Sequence, residues 1–351
     1  MIDDTFWPLY PRQLPPPFGM EYSFSKLYAM AGCLARGGVG SEISSRFRTT
    51  NEYALLGQVV HRYVERLSSA NVSEADLWEE VCEEIYQKAR ATAIVEPPRP
   101  DKWAGYQAKR IATERLSWTK TASYETGLER EPKWEHEVRL EHPTEPYFGI
   151  LDLLRNTVGG QIEILDLKTG PVQNPLSSLH QLQLGFYGYL GESALNRTVA
   201  TLGIMSVTGT IHSVSNVRQT IDSSRAWADS LRSLYESTKN SWSSLFDRAK
   251  PSVNNCRGCE LRPGCKAFLQ DTNLHKATSF VSGVVTEAGV AGNHSAWAIL
   301  QTDLSGSATH VSGLPTAPDL GSTVAIMEGT YLAEKSVKAG WNSKLITIDV
   351  G

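Results

Sequence analysis

The segment Gln161–Gly170 constrains the fold most, because it has the pattern of a buried strand that ends in two charged side chains. Side chains alternate between the two faces of a strand, so Ile162, Ile164, Asp166 and Lys168 share one face. A carboxylate and an ammonium group therefore leave an apolar strand side by side. Such a pair can hold a divalent cation and orient a water beside a phosphate, although a plain surface ion pair is the alternative.

A second carboxylate, Asp152, lies within an apolar run that predicts the preceding strand. A buried carboxylate is costly unless it has a cation or a hydrogen-bond partner. If Gly159 and Gly160 form a hairpin turn, Asp152 and Asp166 become neighbours, and two convergent oxygen ligands suit Mg²⁺ or Mn²⁺. An ordinary turn or ion-pair aspartate is the alternative. Glu137, on the strand before, is a further carboxylate candidate.

Polar side chains on two predicted helices accompany these carboxylates. His61 lies four residues after Gly57, so both occupy one helix face, which Gly57 allows to approach another element closely. Gln183 and Tyr187 are i and i+4 neighbours on a later helix, so two polar tips project together from an apolar segment. The alternatives are a half-buried helix histidine and the polar edge of a packed helix.

Together these residues resemble the PD-(D/E)XK nuclease superfamily, in the RecB-like branch that includes AddB-type and CRISPR-adaptation nucleases. That branch has Gly-x-x-x-His on a helix, Gly-x-x-Asp and Asp-x-Lys on successive strands, and Gln-x-x-x-Tyr on the next helix. All four motifs occur here in that order across residues 57–187. The resemblance implies metal ligation by His61, Asp152, Asp166 and the Leu167 carbonyl, and catalytic or supporting roles for Asp152, Asp166, Lys168, Gln183 and Tyr187.

The resemblance implies a restriction-endonuclease-like α/β core, with a mixed central sheet flanked by helices. It also implies hydrolysis of DNA with Mg²⁺ or Mn²⁺, in which the metal lowers the pKa of a water that Lys168 positions for in-line attack. We expect single-stranded DNA or DNA ends as substrate, in repair, recombination or defence. A helicase is a conceivable partner, since the chain has no P-loop motif of its own.

Three of the five cysteines form the pattern C-x₂-C-x₅-C at Cys256, Cys259 and Cys265. Three thiolates leave a four-coordinate site incomplete, and Cys33 is the natural fourth ligand. Such a site holds zinc or an iron–sulfur cluster, and the spacing leaves the choice open. Several RecB-like nucleases have one cysteine before the nuclease motifs and C-x₂-C-x₅-C after them, binding a 4Fe-4S cluster. This resemblance implies a structural 4Fe-4S cluster here, with Cys82 left over as a core thiol.

Three regions are expected along the chain: a Pro-rich arm at 1–20, the nuclease domain at 21–275, and a C-terminal β-domain at 276–351. The first is extended. In the second, helices are expected at 53–70, 74–94, 103–128, 176–195 and 222–248, and strands at 133–141, 147–155, 161–168, 199–207 and 210–219. In the third, five candidate strands at 280–286, 296–302, 309–314, 322–332 and 344–350 fit an OB-like barrel.

Net charge excludes a generally basic nucleic-acid coat, because 34 basic residues face 38 acidic ones. DNA contact must then be local. Residues 99–120 contain six basic and two acidic residues, and Lys102, Lys109 and Arg110 are the candidates there; a solvated helix face is the alternative. The C-terminal β-domain has four lysines and six acidic residues. Two functions are therefore equally open for this domain: guiding DNA to the nuclease domain and docking a protein partner.

No run of about 20 apolar residues predicts a membrane span, and the acidic start does not resemble a secretory signal. We therefore expect a reducing, cytoplasmic location, where spaced cysteines bind metal more often than they form disulfides. Besides a metal-dependent DNA nuclease, two functions stay open. One is a non-catalytic member of the fold that binds DNA or a helicase. The other is a zinc-stabilised binding protein whose acidic motifs are fortuitous.

Overall fold

The first sheet of the protein is mixed, as predicted. A computed structural model describes residues 17, 21–41, 43, 48–67, 73–93, 95–114, 134–292, 295–302, 307–333 and 335–348. The sheet has the order β1-β2-β3-β4-β5, in which β3 and β4 are parallel and the other neighbours antiparallel. Its strands are β1 (Glu135–Glu141), β2 (Phe148–Asn156), β3 (Ile162–Lys168), β4 (Val199–Ser206) and β5 (Ile211–Ser213).

Helices cover both faces of this sheet, which confirms the predicted α/β class and is consistent with a restriction-endonuclease-like core. The longer helices are α1 (Phe24–Gly32), α2 (Glu52–Leu67), α3 (Glu74–Thr92), α4 (Tyr106–Glu114), α5 (Ser178–Leu195) and α6 (Val217–Glu236). Short helices follow: α7 (Trp242–Phe246), α8 (Val253–Cys256), α9 (Lys266–Leu269) and α10 (Thr272–Ala277). Ser23 caps α1 by accepting a hydrogen bond from the Lys26 N–H.

Strand β3 lies between two hydrophobic layers because its side chains alternate between them. Ile162 and Ile164 are buried in the layer that contains α1, α5 and α6, whereas Leu165 and Leu167 are buried against α2 and α3. Burial of each such side chain stabilises the fold by roughly 1.5–3 kcal/mol. Helix α5 crosses from β3 to the parallel strand β4, which places its polar face above the end of β3.

The turn between β2 and β3 is a hairpin, as predicted. The Thr157 N–H donates to the Gln161 carbonyl at 2.8 Å, and the Gly160 N–H donates to the Thr157 carbonyl at 3.0 Å. Gly160 has a φ of +76°, a conformation that glycine adopts readily because it has no Cβ. The antiparallel register pairs Leu153 with Leu165, so Asp152 and Asp166 reach the same end of the sheet.

The C-terminal part of the chain forms a second sheet. Its order is β10-β11-β8-β7-β6-β9-β12, so β9-β6-β7-β8 has the 4-1-2-3 arrangement of a Greek key. Between Phe280 and Ile348 the described residues form no helix, as predicted. The strands are β6 (Phe280–Val290), β7 (Ala296–Thr302), β8 (Ser307–Leu314), β9 (Thr323–Met327), β10 (Thr330–Ala333), β11 (Ser336–Lys338) and β12 (Lys344–Ile348).

Two predicted elements are divided in the structure. The strand predicted at 322–332 breaks at Glu328, whose φ of +59° cannot continue a strand. The helix predicted at 222–248 ends at Glu236 and resumes at Trp242. The hydroxyls of Ser237 and Thr238 both donate to the Leu234 carbonyl, which satisfies the helix end locally. Strand β5 is also shorter than predicted, since Val217 already starts α6.

Some predicted features lie outside the described residues. These are the Pro-rich arm at 1–20 apart from Pro17, the extension of α4 beyond Glu114, and the basic residues Arg115 and Lys120. Among the helices that are described, none combines the length and the apolar character that crossing a membrane requires.

Candidate active site

Helix α2 carries His61 toward the edge of the first sheet. Leu56 and Val60 are buried on its apolar face, and Asn51 caps its start by accepting a hydrogen bond from the Ala54 N–H at 2.9 Å. The His61 side chain stays partly exposed at 32%. Its Nδ1 atom is thereby free to face the carboxylates that the strands present.

Asp152 lies where β2 separates from β3. Backbone pairing between the two strands covers Leu153–Asn156, and the Leu167 N–H instead donates to Asp152 Oδ2 at 2.6 Å. The other carboxylate oxygen, Oδ1, is 3.3 Å from His61 Nδ1. One side chain thus joins β2, β3 and α2 at a single point.

Glu137 lies across from Asp152 on strand β1. The register pairs His136 with Leu153 and Val138 with Leu151, which leaves Glu137 opposite Asp152. Glu137 has a φ of +49°, a strained conformation for a residue other than glycine and one that clusters at functional sites. Two carboxylates in such positions repel each other unless a cation lies between them.

His61, Glu137 and Asp152 form a compact set of ligand atoms. Glu137 Oε1 is 3.5 Å from His61 Nδ1, and one ligand atom from each of the three residues lies within 4.8 Å of the others. Burial alone lowers the pKa of His61, but hydrogen bonds to Asp152 and Glu137 and their charges raise it to about 10. A proton on His61 therefore supplies the positive charge that the two carboxylates require.

Asp166 and Lys168 leave β3 on one face, as the alternation predicted, and they form an ion pair there. Lys168 Nζ is 2.6 Å from Asp166 Oδ2, and Asp166 is only 3% exposed. Burial and the charge of Asp152 raise the pKa of Asp166 to about 6, against the opposing charge of Lys168. Among the described residues, Asp166 Oδ2 has no partner of regular hydrogen-bond geometry, and the nearby positive charges of Lys168 and His61 compensate its burial.

Gln183 fixes the positions of both members of this pair. Its Nε2 donates to Asp166 Oδ1 at 2.9 Å, and its Oε1 accepts from Lys168 Nζ at 3.0 Å. The same Nε2 lies 3.2 Å from the Tyr187 hydroxyl, one helix turn further along α5. The pKa of Tyr187 is raised, mainly by burial, so the hydroxyl stays neutral. The i,i+4 spacing therefore predicted correctly that the side chains of Gln183 and Tyr187 meet.

The glycines of the motifs have different structural roles. A Cβ atom at Gly149 meets Leu190 Cδ1 at 2.9 Å and Tyr187 Cε1 at 3.1 Å, so this glycine makes room for Tyr187. A Cβ atom at Gly57 meets only Thr169 Oγ1 at 3.8 Å, which is ordinary contact. The close approach predicted from Gly57 is therefore wrong, because α2 leaves space for a larger side chain there.

The structure divides the predicted metal ligands into two groups. His61 and Asp152 belong to the compact set together with Glu137, which the sequence ranked only as an additional candidate. Asp166 lies beside Lys168 instead, and Leu167 contributes its N–H to Asp152. Metal ligation by Asp166 and by the Leu167 carbonyl stays a prediction. The left-handed backbone that positions Glu137 has no signature in the sequence.

Cys33, Cys256, Cys259 and Cys265 are buried and line one cavity. Burial raises the pKa of Cys259 to about 12 and that of Cys265 to about 11, and Cys33 adds to both effects as a neighbour. Four thiols around one cavity are the ligand set of either a zinc ion or an iron–sulfur cluster.

Two arginines, Arg36 and Arg262, also line this cavity, and the sequence analysis did not identify them. The charge of Arg36 opposes the rise in the pKa of Cys259. Cationic side chains suit a site whose bound thiolates are negative. Cys82, the remaining cysteine, is buried in the other hydrophobic layer, as predicted.

The predicted DNA-contact residues on and before α4 are partly neutralised. Lys102 is 3.2 Å from Asp101, and Arg110 is 3.6 Å from Glu79. Burial lowers the pKa of Lys109, which makes no ion pair with any described residue. Their role in DNA binding stays a prediction.

Comparison with known proteins agrees with this geometry. A search of curated proteins found no matching relative. A family model described as the PD-(D/E)XK nuclease superfamily matches residues 22–266, a span that contains the ligand set and all four cysteines of the cavity. Because this match covers more than half of the chain, the chain belongs to the PD-(D/E)XK nuclease superfamily.

Proposed function

We propose that the protein is a metal-dependent deoxyribonuclease that hydrolyses phosphodiester bonds of single-stranded DNA or DNA ends, in repair, recombination or defence. The observation that carries this proposal is the convergence of His61, Glu137 and Asp152 beside the Asp166–Lys168 pair. Two carboxylates and one imidazole within 4.8 Å of one another are donors that suit Mn²⁺ or Mg²⁺. We further propose Asp166 and the Leu167 carbonyl as ligands once the metal is bound.

A bound divalent cation would polarise the scissile phosphate and lower the pKa of a water. The residues of the chain then have separate tasks. Lys168, restrained by Asp166 and Gln183, presents an ammonium group that orients the attacking oxygen and stabilises negative charge on the phosphate. Gln183 holds Asp166 from the other side, and Tyr187 limits the rotation of Gln183. Lys102, Lys109 and Arg110 are the proposed contacts to the DNA backbone.

Cleavage of labelled DNA tests this proposal. We expect Mg²⁺- or Mn²⁺-dependent cleavage of single-stranded DNA, lost in Lys168→Met and Asp166→Asn. Lys88→Met is the matched control, because Lys88 also pairs with a carboxylate, Glu84 at 2.7 Å, but on helix α3. A panel of linear and circular substrates with 5′ and 3′ labels defines polarity. Full activity in Lys168→Met contradicts the site, and an inactive wild type favours a non-catalytic DNA- or helicase-binding protein.

For the cysteine cavity we propose a 4Fe-4S cluster, as in the RecB-like branch. Four buried cysteines that line one cavity support a site of four thiolates, and the resemblance to that branch favours the cluster over zinc. Protein purified without oxygen is then brown and contains about four irons and four sulfides per chain. Colourless protein with one zinc contradicts the cluster and supports the zinc alternative.

For the C-terminal sheet we propose an OB-like domain of residues 276–351 beside a nuclease domain of residues 21–275. The Greek-key order supports it. Three aromatic side chains of this domain, Trp297, Tyr331 and Trp341, are of a type that stacks on bases. Of these, Tyr331 donates to the Phe280 carbonyl and Trp341 packs on the helical layer. Trp297 lies partly exposed against His310, with ring centroids 5.9 Å apart. We therefore propose Trp297 as the residue that stacks on single-stranded DNA, tested by Trp297→Ala in a binding titration.

A further inference from the structure

Arg262 lies inside the cysteine loop, between Cys259 and Cys265, and is completely buried. Among the described residues, the only other charged side chain with comparable burial is Asp166. A buried guanidinium is unfavourable unless its donors are satisfied. Arg262 Nε donates to the Cys259 carbonyl at 3.1 Å, which ties the side chain to the loop that carries it.

The remaining donors of Arg262 reach the C-terminal sheet. Nη1 donates to the Thr278 carbonyl at 2.6 Å, just before β6, and Nη2 donates to Glu328 Oε1 at 2.6 Å, between β9 and β10. Breaking one partner of such a buried pair leaves the other charge uncompensated. The cysteine loop and the C-terminal sheet are therefore joined by a charged contact whose arginine is fully buried and whose Glu328 side chain is 21% exposed.

Glu328 meets Arg262 from a turn that is itself held in place. Its φ of +59° is uncommon for a residue other than glycine. The next residue, Gly329, donates its N–H to the Ser279 carbonyl at 2.9 Å, and the Glu328 carbonyl accepts from the Ser343 hydroxyl at 2.9 Å. These two hydrogen bonds do not involve Arg262, so they hold Glu328 where its carboxylate can meet the guanidinium.

An apolar contact continues the same interface. Phe268, just after the cysteine loop, packs edge-on against Phe280 of β6 at a centroid distance of 5.1 Å. At the edge strand β12, the Lys344 ammonium donates to the Thr92 carbonyl at 3.1 Å. The sheet therefore has contacts besides Arg262, and loss of the Arg262 contact loosens this sheet without unfolding it.

We propose that occupancy of the cysteine site controls how firmly the C-terminal sheet is docked, with Arg262 as the connecting side chain. This inference rests on the proposed metal loading of the four cysteines. A bound group holds the loop from Cys256 to Cys265 in one shape and so presents Arg262 to Glu328 and Thr278. Without it, the loop is held by helices of only four residues, which are marginal on their own.

Hydrogen exchange measured by mass spectrometry tests the coupling on the full chain. The as-purified protein is compared with the same protein after anaerobic chelation of its metal. We expect amides in peptides covering 276–282 and 323–333 to exchange on the order of tenfold faster after chelation. Amides in α5 serve as the internal reference and should keep their rates. Unchanged exchange in both peptides after complete metal removal overturns the proposal.

Variants separate the connecting contact from the metal itself. Glu328→Gln keeps the size of the side chain but removes its charge, so we expect unchanged metal content with faster exchange in the same two peptides. Cys265→Ser should reproduce the chelated state, and Cys82→Ser, a buried cysteine outside the cavity, should behave as wild type. Wild-type exchange in a metal-loaded Glu328→Gln protein overturns the role of Arg262. If metal analysis finds no metal in the purified protein, the proposed loading of the four cysteines is wrong. This result is obtained independently of hydrogen exchange and of DNA cleavage.

Discussion

Asp152 Oδ2 accepts the backbone N–H of Leu167 at 2.6 Å, so a side-chain carboxylate substitutes for the backbone acceptor that β3 lacks where β2 separates from it. The same side chain faces His61 with its other oxygen. Asp152 therefore has a structural contact in addition to the metal-binding role that we propose, and the choice of substitution separates the two.

The Asp152→Asn variant should lose metal binding and DNA cleavage but keep the folded structure. The amide oxygen still accepts from Leu167, but the missing charge weakens Mn²⁺ binding and the cleavage rate by more than about 100-fold. Asp152→Ala should in addition leave the Leu167 N–H unpaired and reduce the free energy of unfolding by about 1–3 kcal/mol. Calorimetric metal titration and thermal unfolding of both variants check this. Equal stability of the two variants contradicts the structural role.

Gln183→Leu should slow DNA cleavage by roughly 10–100-fold, because it removes the side chain that holds both Asp166 and Lys168. Tyr187→Phe removes only a contact to Gln183, so its rate should fall by a few-fold at most. Single-turnover cleavage with saturating Mn²⁺ measures both rates. A larger loss in Tyr187→Phe than in Gln183→Leu would assign the tyrosine a direct contact with DNA.

Metal affinity should rise with pH, because the metal must displace a proton from His61. The pKa of His61 is raised to about 10 in the metal-free protein, so this proton is present at neutral pH and a protonated imidazole cannot bind metal. Titrations in buffers of different ionisation enthalpy should show the release of about one proton per metal ion. His61→Ala should abolish this release.

The free energy of unfolding of the metal-free protein should instead fall as pH rises. A histidine whose pKa is raised by folding stabilises the folded state fully at pH values below its pKa in the unfolded chain, which is near 6.5. This contribution declines as pH rises toward the folded-state pKa of about 10. Chemical unfolding of chelated wild type and of Glu137→Gln between pH 6 and 10 measures it. An identical pH slope in the two proteins excludes Glu137 as a partner of His61.

Alanine substitutions at the two motif glycines should have effects of opposite sign. Gly149→Ala pushes against Leu190 and Tyr187 and should destabilise the protein by about 1–3 kcal/mol. Gly57→Ala has space on helix α2 and should stabilise the protein by about 0.5–1 kcal/mol. Thermal unfolding of the two variants is the measurement. Destabilisation by Gly57→Ala would mean that α2 packs more tightly on Thr169 than the structure shows.

Local patterns were sufficient for most of the elements that build the site. Alternation along β3 predicts that Asp166 and Lys168 share a face, and i,i+4 spacing predicts that Gln183 and Tyr187 meet, because both periods follow from backbone geometry alone. The glycine pair predicts the hairpin that joins β2 to β3. Breaks were missed at Glu328 and after Glu236, where side-chain hydrogen bonds and tertiary contacts decide the backbone.

The sequence by itself determined the α/β class, the order of the four motifs and the four cysteines that are buried around one cavity. Only the tertiary structure decided that Glu137 joins His61 and Asp152, while Asp166 lies with Lys168. It also decided that Arg262 connects the cysteine loop to the C-terminal sheet. The physical reason is that ligand sets and buried ion pairs depend on the register and separation of elements far apart in the chain, which local periodicity does not encode.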